Sequence, residues 1–187
     1  MIRPAPQDRI LNLGSGIGID ALCLVLTHNL PLQAVNMDVV DTVLLEGANS
    51  ISGIHAFSQG TSRASSIQWI CGDAEHLPFT DGVFHWVSLN GVLNLFSRKE
   101  DLLREVLRVT VSGGCLVGAD LCCSDPLPEY FADEPDAWAW CMSGACTLDT
   151  LKHLLLRAGF LPVDVQPAEI PDMFYRTTFS CHKPHDS

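Results

Sequence analysis

Gly14, Ser15, Gly16 and Gly18 stand between an apolar run and a helical pattern, in the stretch Ile10-Leu11-Asn12-Leu13-Gly14-Ser15-Gly16-Ile17-Gly18-Ile19-Asp20. Glycines at a strand-to-helix turn let the backbone approach a ligand closely and present the free amides of a helix N-terminus. The G-x-G-x-G spacing differs from the G-x-G-x-x-G dinucleotide fingerprint, which favours a nucleotide-like ligand other than a nicotinamide or flavin dinucleotide. Asn36 and Asp38 close the next apolar run, and the two-residue period of a strand puts them on one side. Either can hold ribose hydroxyls, the carboxylate better because it brings charge and a second acceptor oxygen. Asp73 and Ala74 follow the third run, where a carboxylate can accept from an adenine amino group, and Asn90 follows the fourth. Each alone is a common turn residue. Together they mark successive strand ends, where open α/β sheets gather their ligands.

Holding these residues in place requires strands that alternate with helices. The apolar runs predict strands at Arg9–Asn12, Gln33–Met37, Ile67–Cys71, Val83–Leu89, Cys115–Ala119, Leu161–Val165 and Met173–Ser180. Helical periods fall at about Ile19–His28, Val39–Ala48, Arg98–Val109 and Leu148–Ala158. In Arg98–Val109 the residues Leu102, Leu103, Val106 and Leu107 form one face, and Ser97 is the expected cap with Glu100 three residues on. The Ser- and Gly-rich stretch Asn49–Ser66 has no period and reads as a loop, and residues 122–137 form a Pro- and Asp-rich excursion. The pattern predicts one α/β domain over residues 1–187: a mostly parallel sheet with helices on both faces and a substrate-side insertion at about 121–147.

The length of 187 residues suits a single domain. Eleven Lys and Arg against 22 Asp and Glu give a formal charge of −11, a field that repels phosphate backbones and anionic membrane surfaces. Nucleic acid and membranes are therefore not expected partners; a small molecule is. No apolar run approaches the roughly 18 residues of a membrane span, and the first nine residues hold no signal-peptide core. A cytoplasmic, reducing location follows, in which the eight cysteines stay free thiols. Cys71 and Cys115 lie in strand-like runs and read as core, whereas Cys122, Cys123, Cys141 and Cys146 fall together in and beside the excursion. The C-x₂-C spacing of structural zinc sites is absent.

From about Arg9 to Ser180 the sequence resembles the class I S-adenosylmethionine-dependent methyltransferases. Gly72-Asp73-Ala74-Glu75-His76-Leu77-Pro78-Phe79, followed by Asp81-Gly82-Val83-Phe84, is similar to the stretch these enzymes place around the adenine. Leu107-Arg108-Val109 followed by Gly113-Gly114 resembles their helix-to-strand turn. Two segments narrow the resemblance to the arsenite methyltransferase family. Ser88-Leu89-Asn90-Gly91-Val92-Leu93-Asn94-Leu95 is similar to that family's Ser-Asn-Cys-Val-Ile-Asn-Leu. Asp120 through Pro128, then Trp138-Ala139-Trp140-Cys141-Met142-Ser143-Gly144-Ala145, resembles its acidic loop ending in Trp-Gly-Glu-Cys-Leu-Gly-Gly-Ala. In the family that cysteine is an arsenic ligand, and the match falls on Cys141.

The resemblance implies a Rossmann-like fold and S-adenosylmethionine as cofactor, bound by Gly14, Ser15, Gly16, Gly18, Asn36, Asp38, Asp73, Ala74 and Asn90. It implies Cys141 as the thiolate anchor of trivalent arsenic, with Cys146, one of the Cys122-Cys123 pair, or Cys23 as candidate further ligands. The chemistry is consistent, since trivalent arsenic is soft and prefers thiolates, and its lone pair needs alignment with a sulfonium methyl more than a general base. Several positions depart from the family. Asn12 replaces an aspartate, Asn36 replaces the usual ribose-binding acid with Asp38 as the carboxylate left to compensate, and Ala21 stands where a cysteine follows the aspartate matching Asp20. Cys23, two residues later, is turned by about 200° on a helix and reads as core. The family's N-terminal and C-terminal extensions are not expected in this chain, which leaves a more open cofactor site. These departures keep two alternatives: a weakened methyltransferase-fold binding or partner subunit, and a methyltransferase for a carbon, oxygen or nitrogen centre of another metabolite. His55, His76, His85 and His153, the candidates for a base in the latter, read as surface or turn residues.

Overall fold

The computed structural model describes residues 3–28, 31–57, 66–168 and 173–186. Seven strands, β1 (Arg9–Leu13), β2 (Gln33–Asp38), β3 (Ser66–Cys71), β4 (Phe84–Asn90), β5 (Thr110–Cys123), β6 (Val163–Pro167) and β7 (Phe174–His182), pair into one sheet. Their order is β3-β2-β1-β4-β5-β7-β6. Strands β3, β2, β1, β4 and β5 run parallel, and β7 is antiparallel to both of its neighbours. The fold is the Rossmann-like sandwich expected from the sequence. The chain reverses its direction of travel across the sheet between β1 and β4, so their carboxyl ends open the crevice in which such sheets bind ligands.

The helices are α1 (Ile19–Thr27), α2 (Asp41–Phe57), α3 (Lys99–Val109), α4 (Pro135–Ala139) and α5 (Leu148–Arg157). Leu102, Leu103 and Val106 of α3 and Leu151 and Leu155 of α5 are buried in one cluster with Leu11, Leu13, Val35, Met37, Val87, Leu89 and Leu116 of the sheet. Successive strand residues point to opposite faces, so Asn12, Asn36 and Ser88 belong to the other face, which α1 and α2 cover over β1, β2 and β3. Strand β7 buries Tyr175, Thr177, Phe179 and Cys181 while the alternate residues stay at least partly open. Its alternation records a half-covered edge, against the two-sided burial of β1.

Several expectations need correction. Helix α2 continues to Phe57 through part of the stretch read as a loop. A nucleated helix propagates at little cost per residue, which outweighs the Ser and Gly content; residues 58–65 of that stretch lie outside the described residues. Strand β5 spans fourteen residues because β7 pairs with it as far as Cys123↔Phe174. Cys122 and Cys123 are therefore strand residues, buried, and not part of a loop. Helix α3 begins without a side-chain cap from Ser97; Arg98 holds the cap position, and Glu100 and Asp101 complement the helix dipole in the first turn. Cys23 and Cys71, read as core, are both exposed. Ala21 and Val25 take the buried face of α1, which turns Cys23 outward, and Cys71 ends an edge strand. Among the described residues no helix is long and apolar enough to cross a membrane.

Candidate functional site

The turn after β1 rises over the polar row beneath it. Gly14, Gly16 and Gly18 all have positive φ, of 60°, 51° and 76°. A Cβ on Gly18 would overlap the side chains of Asn36 and Trp69, whereas one on Gly16 would meet nothing within 4 Å. Gly18 is thus glycine for packing, and Gly16 fronts open space. Asp38, at the end of β2, ties the turn down: its Oδ2 accepts from the Gly16 amide at 2.9 Å and its Oδ1 from the Val40 amide at 3.0 Å.

Asn36 does not reach this edge. It is fully buried beneath Gly18, and its Oδ1 accepts from Asn12 Nδ2 at 3.0 Å. Asn12 Oδ1 in turn accepts from the Ser88 hydroxyl at 3.0 Å. The three residues are direct neighbours across β2, β1 and β4, an uncharged row that leaves Asn36 Nδ2 without a partner.

After β3, Asp73 Oδ1 accepts from the Glu75 amide at 2.9 Å and Oδ2 lies 3.3 Å from His76 Nδ1. Both interactions hold its carboxyl below the usual range, the backbone bond most. Ala74 lies partly buried beside it. Arg108 of α3 fastens the rest of this loop by donating to Leu77 O at 3.0 Å, Phe79 O at 2.7 Å and Asp81 at 2.9 Å while gripping both oxygens of Glu105 at 2.7 Å. Glu105 also accepts from the Leu77 amide at 2.9 Å. The sequence marked Arg108 only as part of a turn; its role as a clamp depends on carbonyls some thirty residues away.

At the end of β4, Asn90 Nδ2 donates to Asp20 Oδ2 at 3.0 Å. Two cavities adjoin here and share Asn90, Ala119 and Thr178. The larger, of about 680 Å³, lies on the half-covered face and is lined by Cys23, Leu24, Val117 and Phe179 among others. The smaller, of about 420 Å³, is lined by Gly91, Asp120, Trp140, Cys141 and Thr177 among others.

Cys141 enters the smaller cavity from the loop after α4, with φ of 59°, a left-handed conformation that costs about 1 kcal/mol or more outside glycine. Its amide donates to Trp138 O at 2.9 Å and its thiol to Gly91 O at 3.5 Å. The loop is seated because Gly144 packs directly on the Asn94 carbonyl and the Ser143 hydroxyl donates to Phe131 O at 2.6 Å. Burial, and next the charge of Asp120, raise the Cys141 thiol above its ordinary range. Asp120 is itself buried and accepts from the Asn94 amide at 3.1 Å, and burial raises its carboxyl.

Cys122 and Cys123 of β5 lie against the segment that carries Cys146. Cys146 bridges Cys122 through the backbone, and its carbonyl accepts from the Cys123 amide at 3.1 Å. Burial foremost, then Cys122, push the Cys146 thiol up to about 12. Cys23 lines the other cavity. Among the described residues no group of three or more His, Cys, Asp or Glu side chains is placed to hold a metal ion. The candidate residues therefore divide: Gly14, Ser15, Gly16, Gly18, Asp38, Asp73, Ala74 and Asn90 lie in or next to the turns at the carboxyl ends of β1 to β4, Cys141 lines a cavity with Asn90, Asn36 and Cys122 are buried, and Cys146 is half-buried next to Cys122. Gly91 and Asp120 stand in the sequence only as members of longer segments, and Thr177 carries no signal of its own there.

The fold is an open α/β sheet whose ligand crevice lies at the carboxyl ends of its strands, and comparison with known proteins gives the class. A family model described as a methyltransferase domain matches residues 11–118. The chain belongs to this methyltransferase family, with the class I S-adenosylmethionine-dependent methyltransferase fold. It is similar to an arsenite methyltransferase of Halobacterium salinarum, 27% identical over 88% of this chain and 40% of that protein. It is also similar to a demethylmenaquinone methyltransferase of Beutenbergia cavernae, 32% identical over 62% of this chain and 41% of that protein. Among solved structures it resembles CrArsM, an arsenic(III) S-adenosylmethionine methyltransferase from Chlamydomonas reinhardtii, with a TM-score of 0.81 and 26% identity over 97% of this chain and 66% of that one. The chain thus spans less than two thirds of the length of these relatives.

Proposed function

We propose that this chain transfers a methyl group from S-adenosylmethionine to a trivalent arsenic centre held by Cys141. The observation that carries this reading is the Cys141 thiol, held in a left-handed backbone conformation beside the end of β4 and lining a cavity that adjoins the cofactor crevice at Asn90.

The residues at the strand ends fit the cofactor. The open space before Gly16 is a cradle that a side chain would fill. Asp38 keeps lone pairs beyond its two backbone bonds, and Asp73 stays ionised after β3. With Asp20 beside Asn90, these carboxylates give the edge a negative field that suits a cationic ligand. When bound, S-adenosylmethionine supplies an electrophilic methyl carbon on a sulfonium, open to attack by an acceptor lone pair. Cys141 supplies a soft ligand suited to trivalent arsenic. The S–As bond forms as an As–O bond breaks, and the thiol proton leaves with the hydroxide as water. The chain's contribution is alignment. His76 and His85 have side chains 84% and 43% exposed, and with exposed His153 they line neither cavity. The side chain of His55 lies outside those described.

A second reading assigns a carbon or oxygen acceptor on an apolar metabolite. The larger cavity, walled by Leu24, Val117 and Phe179, favours it, as does the similarity to a quinone-type methyltransferase. Calorimetric S-adenosylmethionine binding, together with methyl transfer to As(III) in glutathione, tests both readings in wild type and Cys141→Ser. The arsenic reading expects cofactor affinity to be kept and arsenic methylation lost in the variant. Equal activity in both proteins would remove Cys141 from its role, and methylation of a quinol acceptor by both would favour the second reading. No cofactor binding at millimolar concentration would leave a binding or partner role.

A further inference from the structure

A single cross-strand row runs beneath the glycine turn. Ser88 of β4 stands in register with Asn12 of β1, Asn12 with Asn36 of β2, and Asn36 with Trp69 of β3. Residues in register project to the same face of a sheet, so the four side chains form one line that ends on the edge strand β3. Its hydrogen bonds all point one way. The Ser88 hydroxyl donates to Asn12 Oδ1, and Asn12 Nδ2 donates to Asn36 Oδ1. Asn36 Nδ2 is left to donate onward with no oxygen or nitrogen to receive it. The side chain is fully buried, where an unmet amide donor is costly.

The next group in the row is the Trp69 indole. A Cβ on Gly18 would overlap Asn36 Nδ2 and the Cη2 edge of Trp69 together, so amide and ring meet at one point beneath the turn. The electron-rich face of an indole accepts weakly from an N–H. The same ring edge reaches α2, where a Cβ on Gly47 would stand 2.7 Å from Trp69 Cη2 and 2.6 Å from the Ile17 carbonyl oxygen. Two glycines, one on the turn and one on the helix, thus form the slot that the ring fills.

The turn is held differently at its two ends. Its front half is tied to β2 by hydrogen bonds, from the Ser15 amide to Met37 O at 3.1 Å and from the Gly16 amide to Asp38 at 2.9 Å. The Gly18 amide instead turns back to Ser15 O at 2.8 Å, within the turn itself, so the rear half rests on the Trp69 edge and Gly47. Helix α1 starts directly after it, at Ile19. We infer that Trp69 is a positioning residue for the cofactor: its indole closes the donor row at Asn36 and sets the height of the Ile17–Gly18 half of the turn. The first amides of α1, which a helix start leaves free for a ligand, are placed with it. This role concerns S-adenosylmethionine alone and holds for either acceptor reading above.

Asparagine-selective NMR of the ligand-free full chain tests the row. One side-chain amide should be shifted upfield by the ring, and the shifted signal should vanish in both Asn36→Ala and Trp69→Leu. Hydrogen exchange at the Gly18 amide should accelerate about tenfold in Trp69→Leu while Gly16 keeps its rate, a local pattern that general destabilisation does not produce. Calorimetric S-adenosylmethionine affinity should fall about tenfold in the same variant, with Trp69→Phe, which keeps an aromatic face, recovering part of the loss. Gly47→Ala approaches the turn from the other side, because its methyl must displace the Ile17 carbonyl, and affinity should again fall about tenfold; this arm decides the matter if Trp69→Leu does not fold. Wild-type affinity and exchange in folded Trp69→Leu, or wild-type affinity in Gly47→Ala, would overturn the inference. An Asn36 amide at its ordinary position in the wild-type spectrum would overturn the ring's place in the row. Wild-type protein that binds no S-adenosylmethionine would overturn the cofactor role itself, on grounds separate from the ring.

Discussion

The Cys141 thiol meets the Gly91 carbonyl oxygen at 3.5 Å and so joins the loop after α4 to the first residue beyond β4. Gly91 has φ of 68°, and a Cβ there would meet nothing within 4 Å. It also stands where the family segment quoted above carries its cysteine. Gly91→Cys should therefore set a second thiol beside the first at a backbone cost of about 1 kcal/mol. Affinity for a singly methylated trivalent arsenical should rise on the order of 100-fold through chelation, and Gly91→Cys/Cys141→Ser should lose that gain. Titration followed by intrinsic tryptophan fluorescence, with Trp140 in the same cavity, checks both variants.

Asp120 offers a way to tune that thiol. Burial raises Cys141 first and the Asp120 charge second, so removing the charge makes the thiolate easier to form. Asp120→Asn keeps an oxygen for the Asn94 amide while neutralising the group. The pH at which iodoacetamide half-maximally labels Cys141 should fall relative to wild type. An unchanged or higher value would show that Asp120 exerts no charge on the thiol.

Restoring an acid at Asn36 looks attractive from sequence, but the fold predicts the opposite outcome. The side chain is fully buried and already pairs with Asn12, so Asn36→Asp places a carboxylate in the interior without a counter-charge. The variant should lose about 3 kcal/mol of stability or more and gain no S-adenosylmethionine affinity. Thermal unfolding and calorimetry decide the matter, and a gain in affinity at unchanged stability would refute it.

Asp38 is the residue to change in its place. Its two oxygens hold the Gly16 and Val40 amides, and Asn offers one acceptor and no charge for both tasks. Asp38→Asn should weaken S-adenosylmethionine binding about tenfold, the scale of one lost charge-assisted hydrogen bond, with far-UV circular dichroism unchanged.

The sheet and most of its elements were legible because buried parallel strands are continuous apolar runs and α3 has a sharp amphipathic period. The strand ends that carry Asp38, Asp73 and Asn90 followed directly. What failed was information held in partners distant in the chain. Cys122 looked like a loop residue because the strand that pairs with it begins at Phe174. Asn36 and Asp38 were equivalent by period, yet the turn above seals one and uses the other. Cys23 was judged by its residue type, while the buried face of α1 was set by Ala21 and Val25. Thr177 became visible as a wall of the site only when the 124–147 segment folded back over β4 and β5.

The clamp at Arg108 yields a prediction with a pH signature. Glu105 sits below the usual carboxylate range, chiefly through its hydrogen bond to Arg108 and less through the Leu77 amide, and Arg108 is raised by the same contact. A carboxyl lowered in the folded state contributes stability that is complete above its unfolded value of about 4.3. That contribution is lost as the pH falls through the lower folded value. Glu105→Gln should therefore reduce the melting temperature at pH 7 and converge with wild type at acid pH, as the wild-type carboxyl becomes protonated below its lowered folded value. Arg108→Lys should cost about 1–3 kcal/mol, because an ammonium cannot span Glu105, Asp81 and the carbonyls of Leu77 and Phe79 together. Both variants release the loop that carries Asp73, so limited proteolysis between residues 77 and 82 should accelerate at pH 7, and bound S-adenosylmethionine should restore part of the protection. Equal cleavage rates in wild type and Arg108→Lys would show that the loop is held by other contacts.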